Sequence, residues 1–168
     1  MKTIGIIGGM GPLATVDLFG KIVNLTDAKC DNDHIHILID NNTYIPDRTS
    51  YILGDGKNPL DELVKSAKRL KDMGADFLVM PCNTAHYFYN DIINNVSIPF
   101  INMIEETASY INNKKAQKVL TDLRHKDVEY VILGCTELPV AFELLNLSGN
   151  FIDPTEVLAK AAIKKALY

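Results

Sequence analysis

Apolar residues in this chain fall either into short continuous runs or into helical spacing, and the two kinds of segment alternate. Thr3 to Ile7 reads as a buried strand that runs into the turn G-G-M-G-P. A helix from Pro12 to about Asp27 then carries Leu13, Val16, Phe19 and Val23 on one face. His34 to Asp40 alternates His34, His36, Leu38 and Asp40 with isoleucines 35, 37 and 39, which is strand periodicity. A polar loop, Asn41 to Lys57, follows. The next helix has Asn58 as cap and Pro59 in first position, buries Leu60, Leu63, Val64, Ala67 and Leu70, and stops at Gly74. Phe77 to Met80 is a four-residue apolar strand ended by Pro81. Thr84 to about Asn94 is expected to be helical with Phe88 and Ile92 inward, then Ile98 to Ile101 a short strand and Met103 to Lys115 a helix. Beyond it the pattern predicts a helix over Ala116 to His125, a strand over Glu129 to Leu133 and a helix over Glu137 to Leu145. A short strand at Asn150 to Ile152 precedes a last helix capped by Asp153, with Pro154 first and Glu156 placed as in a capping box.

Strands alternating with helices imply a parallel, helix-covered sheet, whose ligands bind at the carboxyl ends of the strands. Gly8 to Gly11, Asp40 to Thr43 and Cys82 to Thr84 all fall at such ends. A repeat points the same way: D-F-L-V-M-P-C-N-T from Asp76 aligns with E-Y-V-I-L-G-C-T from Glu129. Two matching strand-to-cysteine junctions imply two related half-sites facing each other. A thiol where a strand hands over to a helix also meets the positive end of the helix dipole, which favours the reactive thiolate.

Composition narrows the reading. The chain has 168 residues, 47% of them hydrophobic, and a formal charge of -4, so it reads as an ordinary globular protein without the basic surface that nucleic acid requires. The opening M-K-T-I-G-I-I-G-G is too short and too glycine-broken for a signal peptide or membrane span, and a cytoplasmic location is expected. Three cysteines without framework spacing fit a reducing compartment.

The same residues raise other chemistries. Gly9, Gly11 and Ala14 match the loose dinucleotide fingerprint, but the ribose-holding acid belongs roughly 20 residues on, and Asp40 is farther away. A tight turn that brings backbone N–H groups to a small anion needs only the glycines. His34 and His36 form an H-x-H pair with no further ligand at recognisable spacing, so no metal is expected. Cys30, in A-K-C-D-N-D, reads as a bystander. His86, four residues after Cys82, would share a helix face with it and raises a cysteine-nucleophile hydrolase or a metal site as rivals. A hydrolase needs no second matching cysteine, and a metal site needs more ligands. Arg48, in P-D-R within the polar loop, suits two-pronged capture of a carboxylate.

Five segments in order, G-I-I-G-G-M-G-P at Gly5 to Pro12, P-D-R at Pro46 to Arg48, M-P-C-N-T-A-H at Met80 to His86, I-L-G-C-T-E at Ile132 to Glu137 and D-P-T at Asp153 to Thr155, resemble the aspartate/glutamate racemase superfamily, its aspartate racemase branch in particular. The resemblance implies an α/β fold of two pseudo-symmetric three-layer αβα lobes with parallel sheets. These enclose a small acidic amino acid, with one catalytic cysteine from each lobe and neither pyridoxal phosphate, metal nor other cofactor. Cys82 and Cys135 match the two cysteines. Residues 1–102 with 150–168 are expected to form the first lobe and residues 103–149 the second, and a homodimer is compatible with this reading. The second lobe is short for the family: a strand–helix block usually found between the helix here ending near Lys115 and the segment leading into Val128 has no counterpart. The sequence reading favours a missing internal piece near residues 116–120 over a natural shortening, since a lobe without its leading strands leaves apolar edges exposed.

Inverting an α-carbon requires removing a proton from one face and delivering another to the opposite face. Two thiols, one ionised and one not, suit that task when held roughly 7 Å apart across the carbon, too far for a disulfide. The expected substrate-binding set is Met10 in the glycine turn, Thr43, Arg48, Asn83, Thr84, Thr136 and Glu137, with Arg48 on the side-chain carboxylate and donors from Asn83, Thr84, Thr136 and the glycine turn stabilising the carbanion. The alternative is an inactive paralogue or binding module that keeps the acidic amino-acid pocket.

Overall fold

Strand β1 (Ile4–Gly8) lies between β2 (Ile37–Asn41) and β3 (Phe77–Val79) in a parallel sheet, as seen in a computed structural model that describes residues 1–118, 131–135, 139 and 151–168. Ile4 is in register with both Ile37 and Phe77, so Gly8, Asn41 and Val79 end on the same side of the sheet. All five residues of β1 are buried, as expected for a central strand covered on both faces. The expected strand at Ile98 to Ile101 is reduced to one parallel bridge between Leu78 and Phe100.

The pleat of β1 divides the core in two. Ile4 and Ile6 point to one side, where they pack with Leu18 and Ile22 of α1 (Pro12–Leu25), with Phe77 and Val79, and with Leu158 and Ala162 of α6 (Pro154–Leu167). Ile7 points to the other side, with Leu63, Ala67 and Leu70 of α3 (Leu60–Asp72) and with Phe88 and Ile92, the latter in α4 (Tyr89–Asn95). Between β2 and α3 lies a short helix, α2 (Arg48–Ile52), and α5 (Met103–Lys118) follows α4. The arrangement is a parallel sheet flanked by helices, as the alternation of patterns implies.

Helix α1 corrects one expectation. Its inward residues are Ala14, Thr15, Leu18 and Ile22, whereas Leu13 and Val16 are each 65% exposed and Phe19 is 41% exposed. Thr15 sets the rotation. Its hydroxyl accepts from the Gly9 N–H at 3.0 Å and lies 3.2 Å from the Gly11 carbonyl, to which it donates, so the helix is turned to hold the glycine loop.

A second parallel pair, β4 (Val131–Ile132) with β5 (Phe151–Ile152), stands apart from the first sheet. Strand β5 pairs with β4, while α6 packs on α1 and α5. The link between them is Asp153. Its carboxylate caps α6 by accepting from the Thr155 N–H at 2.8 Å and also meets Lys21 of α1 at 2.5 Å. Glu156 pairs with Lys160 at 2.6 Å. The expected helices over Ala116 to His125 and Glu137 to Leu145, and the gap between Ala116 and Val128, lie largely outside the described residues.

Candidate active site

The ends of β1 and β2 are pressed together by local chemistry. Gly9 has φ +92, and a Cβ there would lie 2.4 Å from the Asn42 carbonyl group, so only glycine lets the turn after β1 sit against the turn after β2. Asn42, nearly buried, donates to Ser66 at 3.2 Å and accepts from the Tyr44 N–H at 3.1 Å, which fastens the second turn to α3. The sequence reading passed over Asn42. A side chain able both to donate and to accept, at the end of a buried strand, was the available signal.

Within the glycine turn the Gly9 N–H donates to the Thr15 hydroxyl. At the end of β2, Asp40 accepts from Arg69 at 2.7 and 3.1 Å. Among the described residues no group of three or more His, Cys, Asp and Glu side chains is placed to hold a metal ion.

Beyond β3, Met80 and Pro81 are buried and Cys82 is 5% exposed. The helix expected from Thr84 is first a 3-10 turn, Thr84–Phe88, and only then α4. His86 does not act on the Cys82 thiol from a shared helix face. Its Nδ1 lies 2.8 Å from the Cys82 carbonyl oxygen, and its Nε2 accepts from the Met103 N–H at 3.1 Å, so both ring nitrogens are committed to main chain. Burial holds the imidazole pKa below its ordinary value, a trend that the bond to the Cys82 carbonyl and the charge of Glu105 only partly oppose.

The second cysteine junction meets the first. The Asn83 side-chain amide donates to the Gly134 carbonyl, and these residues are the immediate neighbours of Cys82 and Cys135. Leu133 is buried and donates to the Ile152 carbonyl at 2.9 Å, while Gly134 and Cys135 are exposed. No disulfide joins any of the three cysteines, and Cys30 is exposed.

The polar loop contains α2. Asp47 caps it, accepting from the Ser50 N–H at 2.7 Å and its hydroxyl at 2.8 Å, so the aspartate of P-D-R has a structural task and Arg48 opens the helix. Helix α2 is docked on the 3-10 turn after Cys82 through the rings of Tyr51 and Phe88, 5.6 Å apart. Arg48 Nη1 donates to the Pro46 carbonyl at 3.2 Å, whereas Nε is buried without a hydrogen-bond partner. Thr43 and Thr84 are exposed and Asn83 is half-buried. Met10 packs with Ile7, Ile45 and Cys82 in the apolar cluster beneath the loops. Thr136 and Glu137 lie outside the described residues.

Comparison with known proteins decides the family. Residues 7–120 match the family model described as Asp/Glu/Hydantoin racemase, a span that contains the glycine turn, P-D-R and the Cys82 junction. The chain belongs to the Asp/Glu/hydantoin racemase family. The broad specificity amino-acid racemase RacX of Bacillus subtilis is 31% identical over 123 residues, which are 70% of this chain and 52% of RacX. The chain thus spans about half the length of that curated relative. A Picrophilus torridus aspartate racemase structure superposes with TM-score 0.81 at 27% identity, covering 99% of this chain and 94% of the other. An aspartate racemase homologue from Pyrococcus horikoshii gives TM-score 0.74 at 21% identity over the full length of both chains, a likeness of fold. The matched span thus takes in the turn after β1, the buried Cys82 after β3 and the helix that Arg48 opens after β2.

Proposed function

We propose that the chain racemises an acidic amino acid, aspartate or glutamate, without a cofactor, using Cys82 and Cys135 as bases on opposite faces of the α-carbon. The observation that carries this reading is the hydrogen bond from Asn83 to the Gly134 carbonyl, which sets the two cysteine junctions side by side. In the forward reaction one cysteine thiolate takes the α-proton, forming S–H as C–H breaks, and the electron pair passes into the α-carboxylate. The opposite thiol gives its proton to the other face of the carbon and is left as thiolate. The enzyme ends in the mirror protonation state, ready for the reverse enantiomer or reset by proton exchange with water.

The carbanion must be stabilised as it forms, and donors that are already in place do this at least reorganisation cost. Thr84 and Asn83 stand at the first junction and Thr136 is assigned to the second, with Glu137 beside it as a further substrate-binding residue. Arg48 is the proposed holder of the side-chain carboxylate, with Thr43 beside it. A buried Nε without a partner is costly unless an acceptor arrives, and a substrate carboxylate is such an acceptor.

Incubation with L-aspartate or L-glutamate in deuterium oxide tests the reading. Racemisation predicts α-deuterium incorporation together with growth of the D-isomer. Exchange without inversion would reduce the mechanism to one working thiol. Absence of exchange with either amino acid overturns it and leaves the binding module, which ligand-induced stabilisation by aspartate would then support.

A further inference from the structure

We propose that His86 is a positioning residue for Cys82, clamping the cysteine's peptide group to the start of α5 and so fixing the direction from which the thiol meets the substrate. The role rests on the racemase reading of the site but not on the identity of the amino acid.

The direction of each hydrogen bond defines the ring. A backbone amide can only donate, so Nε2 facing the Met103 N–H at 3.1 Å is an acceptor; a carbonyl can only accept, so Nδ1 facing the Cys82 oxygen at 2.8 Å carries the proton. The imidazole is therefore neutral and in one tautomer. It is held in place by Tyr89, nearly parallel at 6.2 Å, and by Phe100 at 6.3 Å, while the Tyr89 hydroxyl donates to the Phe100 carbonyl at 2.9 Å.

The clamp follows from the form of the turn. In an α-helix starting here, the Cys82 carbonyl would accept from the backbone N–H of His86, four residues on. The chain instead makes a 3-10 turn, and the His86 N–H goes to the Asn83 carbonyl at 3.0 Å. The imidazole of the same residue supplies the donor that the Cys82 carbonyl then lacks. Its other nitrogen takes the first amide of α5, one of the four that a helix leaves unsatisfied, and Asn102 takes the next two, from Ile104 at 3.0 Å and Glu105 at 3.3 Å. One side chain thus joins the peptide that bears the thiol to a helix that packs on α6.

Two conservative variants, His86→Asn and His86→Gln, each keep one end of the clamp. Asparagine places an N–H near the position of Nδ1 but lets go of Met103, and glutamine places an acceptor near that of Nε2 but lets go of the Cys82 carbonyl. Because the clamp needs both ends, each variant is expected to lose about 10²-fold in kcat with KM little changed, the order of loss that a slightly misplaced reacting group produces. Native kcat in either variant overturns the proposal. The rate of Cys82 alkylation by iodoacetamide, followed on the Cys82 peptide by mass spectrometry well below the melting temperature, needs no turnover and is expected to change in both variants. Altered alkylation in both supports the clamp even if the native protein racemises nothing. Unaltered alkylation in both sinks the clamp and leaves the racemase reading intact.

Discussion

Asn83 reaches from the Cys82 junction to the carbonyl of Gly134, one residue before Cys135. The amide thereby ties together the junctions of the two cysteines proposed as bases, and it is a candidate donor to the substrate as well. Asn83→Asp removes the N–H and sets a carboxylate against a carbonyl oxygen, so the two junctions should separate. Racemisation is expected to fall about 10²-fold, as for any small misplacement of reacting groups, while thermal melting shifts little because the side chain is half-buried. Side-by-side turnover and melting measurements check this.

The glycine turn makes a pair of opposite predictions. Gly9→Ala puts a methyl group 2.4 Å from the Asn42 carbonyl at φ +92 and should destabilise the protein by about 1–3 kcal/mol. Gly20→Ala, inside α1 and with nothing within 4 Å of the added carbon, should stabilise it by about 0.5–1 kcal/mol. Urea unfolding of the two variants measures both signs.

Asp153 joins two elements with one carboxylate. Burial disfavours the charge on Lys21, yet hydrogen bonds and attraction from Asp153 and Asp17 outweigh it and raise the ammonium pKa. Asp153→Ala loses the α6 cap and leaves Lys21 with Asp17 alone, at a cost of about 1 kcal/mol for the cap. Chemical denaturation should show that loss, with part of it disappearing at high salt.

Burial of His86 gives stability a pH dependence. The imidazole pKa is depressed in the folded chain, so between its unfolded value, about 6.5, and the lower folded value the unfolded chain binds more protons. Stability due to neutral His86 is full above that window and is lost as pH falls through it, since a protonated Nε2 would face the Met103 N–H donor to donor. Glu105, whose charge favours the imidazolium, and the Tyr89 phenol are the other titratable groups facing the ring. His86→Asn should flatten this part of the stability–pH curve.

Much of this was legible in the sequence because backbone demands and side-chain patterns agreed. The parallel sheet, the α3 core residues Leu63, Ala67 and Leu70, the stop at Gly74 and the convergence of strand ends follow from apolar runs and punctuating glycines. The face of α1 was not legible, because two stripes overlap there and the choice between them is made by a hydroxyl, Thr15, bonding to a turn whose shape no periodicity encodes. Nor was the 3-10 turn after Cys82. Spacing of Phe88 and Ile92 serves an α-helix as well, and the preference for the tighter turn depends on a tertiary partner, Met103, supplied from another element. In the polar loop, P-D-R stood out, but that its aspartate is a helix cap is visible only with Ser50 in place.

The two-base account stands or falls on the cysteines taken one at a time. Cys82→Ser and Cys135→Ser, each incubated with the L-amino acid that the native protein racemises and followed by chiral chromatography, should each abolish formation of the D-isomer while leaving the fold unchanged by circular dichroism. Normal racemisation by either variant would contradict it.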